Sequence, residues 1–192
     1  MTKKITTKKE EQPLRIDLGC GPHPREGFVG VDMFKMDNVS IVCDLAKVKW
    51  PFKDNSVDEA HAAHFIEHLT NLGDKWERTH FFNELYRVLK VGAKATLIFP
   101  HWASNRYYGD PTHKEPFSEM GFLYLNKTWR QEQAPHSDSK WLKHGYKCNF
   151  DTTYGYNINP MLVSRNQEFQ QNAINWYKEA AQDIIATLTK VA

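Results

Sequence analysis

Residues 14–32 read LRIDLGCGPHPREGFVGVD, and the reading of this stretch decides the fold. Leu14, Ile16 and Leu18 form a short apolar strand with Asp17 inside it. Gly19-Cys20-Gly21 then removes side chains where the backbone must turn sharply and come close to a ligand. Phe28-Val29-Gly30-Val31 reads as a second strand, and Asp32 stands at its carboxyl end. In an open α/β sheet that edge receives a nucleotide-like ligand, and a carboxylate there is placed to hydrogen-bond ribose hydroxyls.

The link between these strands is unusually short. Only PHPREGFVGV separates Gly21 from Asp32, whereas a dinucleotide pattern puts its acidic residue about 20 residues beyond the glycines because a full helix intervenes. A parallel crossover normally needs a dozen or more residues. Pro22 and Pro24 also oppose a regular helix. The first crossover helix is therefore expected to be absent or cut to a single turn, leaving one sheet face for something else to cover.

Asp17-Leu18-Gly19-Cys20-Gly21 resembles the glycine motif of class I S-adenosylmethionine-dependent methyltransferases. Three further pieces follow in the order that family shows. They are Cys43-Asp44-Leu45; Asn55-Ser56-Val57-Asp58 leading to His64-Phe65-Ile66-Glu67-His68-Leu69; and Glu84 to Gly92, ELYRVLKVG. The resemblance covers residues 14–100. It implies an α/β fold, a Rossmann-like and mostly parallel sheet with an antiparallel closing strand. It implies S-adenosyl-L-methionine as cofactor and places Asp17, Gly19, Cys20, Gly21, Asp32, Met33, Asp44, Leu45 and His64 around it. Asp44 would accept a hydrogen bond from the adenine amino group with Leu45 against the ring, and His64 would lie near the methionine part. The plain alternative for Asp44 is a turn or helix-cap aspartate.

The rest of the chain fits one domain over 14–192 behind a flexible tail, 1–13. Asn38–Asp44 reads as a third strand and Val57–His64 as a fourth. Gly73–Lys90 is the clearest helix. Its Phe81, Phe82, Leu85, Val88 and Leu89 follow helical spacing, with Gly92 as a stop. Ala93–Pro100 is a short β-branched strand. Between 101 and 163 aromatic residues crowd in, with a short helix expected inside Ser118–Arg130 and a strand over Lys147–Tyr156. This segment leaves the carboxyl end of the fifth strand and is read as an aromatic-rich cap for substrate recognition. Equally, its aromatics could cover the face left bare by the missing helix. Ser164–Ala181 is a further helix with Phe169, Ala173, Ile174, Trp176 and Tyr177 clustered. The β-branched run Asp183–Thr189 favours a closing strand.

Other classes are excluded or weighed. With 25 basic and 23 acidic residues the net charge of +2 gives no global field toward nucleic acid. The site expected after the fourth strand, His64-Phe65-Ile66-Glu67, lacks the Asp/Asn-Pro-Pro-aromatic motif of amino-group DNA methyltransferases, and no cysteine follows a proline. The odd cysteines, Cys20, Cys43 and Cys148, fit a reducing, cytoplasmic setting. No apolar run approaches a membrane span, and the N-terminus lacks the apolar core of a secretory signal. His64 to His68 spells H-x-x-E-H, a zinc-peptidase pattern. It falls where a strand ends, with no third carboxylate ligand on a later helix, so no metal ligand is assigned. Methyl transfer requires a base only for a protonated acceptor. The candidates are His113 and His101. The acceptor is a small molecule or protein side chain. The competing readings are a non-catalytic binding module and a zinc hydrolase.

Overall fold

The computed structural model describes residues 12–192, so most of the expected tail lies outside the described residues. Seven strands form one sheet: β1 (Arg15–Leu18), β2 (Val29–Asp32), β3 (Ile41–Val42), β4 (Val57–Ala63), β5 (Leu89–Pro100), β6 (Phe150–Ile158) and β7 (Ala181–Lys190). Their spatial order is β3-β2-β1-β4-β5-β7-β6. The first five run parallel. β7 pairs antiparallel with both β5 and β6, which bears out the antiparallel closing strand. The strand order reverses at β1, with β2 and β3 added on one side and β4 and β5 on the other. Such a switch point opens a crevice at the carboxyl ends of the strands.

The helices are α1 (Glu77–Val88), α2 (Asn105–Tyr108), α3 (Lys127–Gln133) and α4 (Gln167–Trp176). Among the described residues no helix joins β1 to β2, β2 to β3 or β3 to β4. The prolines after Gly21 thus have the consequence expected of them. α1 follows β4 and buries Phe81, Phe82, Leu85 and Val88. These meet Ile16, Leu18, Val31, Ala60, Ala62, Leu97 and Phe99 of the sheet in the main core. The alternate strand residues face the other way. Thr96, Ile98 and Thr187 are half-buried there, and Ile185 is exposed.

The connection 101–149 packs on the α1 side. Phe117 lies 5.7 Å from Phe82 and 5.8 Å from Phe99 between ring centroids, and Phe122 lies 6.1 Å from Phe99. A right-handed β1–β2 crossover would put its helix on the face opposite α1, because the two crossovers move in opposite directions along the sheet. These aromatics therefore thicken the covered face and leave the other as it is.

Several element boundaries differ from the sequence reading. The third strand shrinks from Asn38–Asp44 to Ile41–Val42, an edge strand paired on one side. α1 stops at Val88, where Leu89 turns extended, so Gly92 is no helix stop. Its φ of +80° serves the irregular start of β5, where the β4 register jumps from Val57–Leu89 to Glu59–Lys94. α4 begins later, because the Asn166 side chain accepts the Phe169 N–H and caps it. Of its expected cluster only Ala173 and Ile174 are buried, while Trp176 is 80 % exposed. No described helix is long and apolar enough to cross a membrane.

Candidate functional site

The crevice at the carboxyl ends of β1, β2 and β3 holds a cavity of about 440 Å³, within the usual range for small-molecule sites. Gly19, Gly21, Asp32, Met33, Asp44, Leu45 and His64 line it, together with Phe34, Cys43, Ala46, Phe65, His68, Thr112 and Lys114.

The glycine turn is fixed by its own geometry. Gly19 has φ +67° and Gly21 φ +54°, a left-handed region that costs other residues about 1–2 kcal/mol. A Cβ on Gly19 would stand 2.2 Å from Cδ2 of Phe65, so the ring closes directly over the bare backbone. A Cβ on Gly21 would meet nothing within 4 Å. The Gly19 N–H donates to the Val31 carbonyl at 2.8 Å. The Gly21 N–H donates to Oδ2 of Asp32 at 2.9 Å, and the Phe34 N–H to Oδ1 at 3.0 Å. Asp32 is thereby locked in one orientation with a lone pair spare on each oxygen.

Asp44 accepts the Ala46 N–H through Oδ1 at 3.0 Å, the turn role weighed for it, while still lining the cavity. Leu45 is buried, and its carbonyl accepts the indole N–H of Trp50 at 3.1 Å. His64 follows β4 with a φ of +52°. Its Nδ1 lies 3.4 Å from Oε1 of Glu67, an interaction that raises its pKa against the effect of burial.

Two expected cofactor contacts do not line the cavity. Asp17, on the next pleat from Ile16 and Leu18, points to the opposite face of the sheet. There its Oδ1 lies 2.7 Å from Nδ1 of His61, and its Oδ2 accepts the Arg25 N–H at 2.7 Å. It thus braces the loop after the glycine turn. The Cys20 thiol turns toward the Gly21 carbonyl at 3.4 Å. Burial, with Asp17 and Asp32 nearby, raises its pKa to about 11.

The two candidate bases also stand off the cavity wall. His101 is buried, accepts the Ala103 N–H on Nδ1 and donates from Nε2 to Glu119 at 3.1 Å. Burial raises the Glu119 pKa, but hydrogen bonds from His101, its own backbone and the Tyr156 hydroxyl outweigh that and hold it at about 2. His113 lies one layer behind the wall, edge-on to His68 at 4.8 Å between ring centroids. Residues 64–68 form no α-helix; Ile66–His68 is a single 3-10 turn. His64 and His68 consequently do not share a helical face as the zinc-peptidase reading requires.

The far wall comes from residues that no local pattern singles out. Arg78 reaches from α1 to the carbonyls of Leu69 and Glu115, at 2.9 and 2.6 Å. The Lys114 N–H donates to the Glu67 carbonyl at 2.9 Å, and its Nζ to Glu77 at 2.8 Å. These bonds draw Thr112 and Lys114 across the opening. All but the Arg78–Leu69 bond join residues about forty apart, beyond the reach of local pattern.

A switch-point cavity with a glycine turn tied to the carboxylate of the next strand is the geometry in which an open α/β sheet holds a nucleotide-like ligand. A family model described as a methyltransferase domain matches residues 27–97. Residues 27–97 thus resemble a methyltransferase domain, and the mostly parallel sheet with its antiparallel closing strand is the fold of the solved S-adenosylmethionine-dependent methyltransferases on which the chain superposes. A SAM-dependent methyltransferase from Archaeoglobus fulgidus superposes with a TM-score of 0.61 at 17 % identity, over 93 % of this chain and 86 % of that one. The geranyl diphosphate C-methyltransferase of Streptomyces coelicolor A3(2) gives 0.53 at 16 %, covering 94 % and 72 %. An S-adenosylmethionine-dependent methyltransferase from Mesorhizobium loti gives 0.52 at 12 %, covering 92 % and 90 %. At such identities the likeness is one of fold. No curated protein matches the sequence.

Proposed function

We propose that this chain binds S-adenosylmethionine in the crevice above β1, β2 and β3 and catalyses methyl transfer to a small molecule or a protein side chain. The observation that carries this reading is the pre-set pair of Gly21 and Asp32. The turn places no side chain over the cavity, and the carboxylate is already oriented by two backbone N–H groups. Gly19, Gly21 and His64 would flank the methionine portion, Asp32 and Met33 the ribose, and Asp44 with Leu45 the adenine. The cofactor supplies a methyl group on a sulfonium, which an acceptor displaces in line. The chain's own part is to hold both reactants in line and keep water out, which can account for much of the acceleration.

Calorimetry of S-adenosylmethionine and S-adenosylhomocysteine binding tests this. Asp32→Asn should weaken both, since hydrogen bonds to a charged group are worth about 1.5–3 kcal/mol, or roughly 10- to 100-fold in affinity. Unaltered affinity in a folded variant would show that the ribose lies elsewhere. Binding without transfer of a labelled methyl group to any extract fraction would favour the non-catalytic module.

A further inference from the structure

Glu67, His68 and His113 each offer one ligand atom, and these lie within 4.8 Å of one another. His68 lines the cavity with Glu67 and His113 behind it, and the bond from Lys114 to the Glu67 carbonyl brings the two segments together. We propose that this cluster is a binding site for a divalent first-row transition metal ion of the zinc type.

Two independent features support it. The first is an orphaned carboxylate. Glu67 is 2 % exposed, and neither of its oxygens has a hydrogen-bond partner. Nδ1 of His64 at 3.4 Å and Nε2 of His113 at 4.0 Å stand within ion-pairing range of Oε1, but no donor meets hydrogen-bond geometry at either oxygen. A buried carboxylate without a hydrogen-bond donor is costly, and native structures satisfy such groups or use them on a metal.

The second is the orientation of both imidazoles. Nδ1 of His113 lies 2.6 Å from the Tyr107 carbonyl, and Nδ1 of His68 lies 3.3 Å from the Thr112 carbonyl. A carbonyl only accepts, so each Nδ1 donates; the Thr112 hydroxyl, 3.2 Å from Nδ1 of His68, gives its own proton to Asp110 at 2.6 Å and so also accepts there. In the neutral form of each ring this leaves the lone pair on Nε2. Metal-binding histidines are held in this way, the outer nitrogen donating to a backbone carbonyl.

The dimensions are compatible. At the tetrahedral angle, ligands about 2.0–2.2 Å from zinc stand about 3.3–3.6 Å apart. The 4.0 Å between Glu67 and His113 needs a contraction of about half an ångström, and the widest separation, 4.8 Å, needs about 1.4 Å, within the reach of side-chain rotations. Two imidazole nitrogens and one carboxylate match the ligand number and type of zinc sites that keep an open position. Oδ2 of Asp110, 3.8 Å from Nε2 of His113, or a water would fill the fourth place. The site does not depend on the cofactor reading, because zinc alone is the probe.

The test is metal analysis and zinc calorimetry on the full chain, with cobalt(II) substitution to give visible d–d bands. Stoichiometric zinc is expected in the wild-type chain. Glu67→Gln and His113→Gln should each weaken it more than about 100-fold, since loss of outer-sphere partners already costs 10–100-fold. They should also abolish the cobalt bands, while His136→Gln, at an exposed position, should change nothing. Should Glu67→Gln fail to fold, His113→Gln and His68→Gln carry the comparison. Absence of stoichiometric binding, or binding equal in wild type, His113→Gln and His68→Gln, overturns the proposal.

Discussion

Replacing Gly19 by alanine isolates one physical contact. Two costs are foreseen. Holding a non-glycine residue at φ +67° costs about 1–2 kcal/mol. The new methyl would also lie 2.2, 2.7 and 3.0 Å from Cδ2, Cγ and Cε2 of Phe65. That ring packs on Phe81 at 5.5 Å between centroids, so any retreat into the cavity breaks this contact. Forcing such a shift in a packed site costs about 1–3 kcal/mol. The sum, roughly 2–5 kcal/mol, is a large part of a typical domain stability of about 5–15 kcal/mol. Gly21→Ala carries the backbone cost alone, because open space surrounds its Cβ position. Urea denaturation of both variants separates the terms, each kcal/mol also moving Tm by about 2–4 °C. Phe65→Ala added to Gly19→Ala should return the steric part. Equal losses in Gly19→Ala and Gly21→Ala, or no recovery in the double variant, would refute the claim that the ring dictates glycine here.

Other outcomes follow from buried polar groups. Glu119 has a folded pKa of about 2 against an ordinary 4.5. Its contribution is thus complete above pH 4.5 and lost as pH falls toward 2, on the order of 2–3 kcal/mol. Glu119→Gln should flatten the acid limb of a stability–pH curve in that window, and an unchanged limb would contradict the pairing with His101 and Tyr156. Arg130, 1 % exposed, donates to the carbonyls of Tyr124 and Cys148 and lies 3.5 Å from buried Asp138. Arg130→Met should cost about 3–5 kcal/mol by thermal or urea unfolding, because it leaves a buried carboxylate without its counter-charge and two carbonyls without their donor. A loss below about 1 kcal/mol would show that water replaces it.

The frame of the fold was legible because it rests on local signals. The spacing of Phe81, Phe82, Leu85 and Val88 named the buried stripe of α1. The prolines at 22 and 24 foretold the missing crossover helix, and the β-branched run before Lys190 foretold β7. Failures came where tertiary neighbours override local preference. Gly92 looked like a helix stop, yet β5 claims it for a register shift. The apolar residues of α4 follow a helical period, but little of the protein lies against Phe169, Trp176 and Tyr177. At the site, the two glycines, Asp32, Asp44 and Leu45 were readable because a turn and two strand ends are short-range objects. Thr112 and Lys114 were not, because Arg78 and the Glu67 carbonyl reach across the fold to place them. Asp17 misled for a simpler reason: one step along a strand reverses the side on which a side chain emerges.

The partial cover on the sheet face opposite α1 has a thermodynamic consequence. Parallel strands ordinarily withdraw hydrocarbon from water on both sides, but here Thr96, Ile98, Ile185 and Thr187 keep part of theirs hydrated. Unfolding then exposes less new apolar area per residue. The heat-capacity increment should fall below the usual 12–15 cal/mol/K per residue, and the stability curve should be correspondingly broad and shallow.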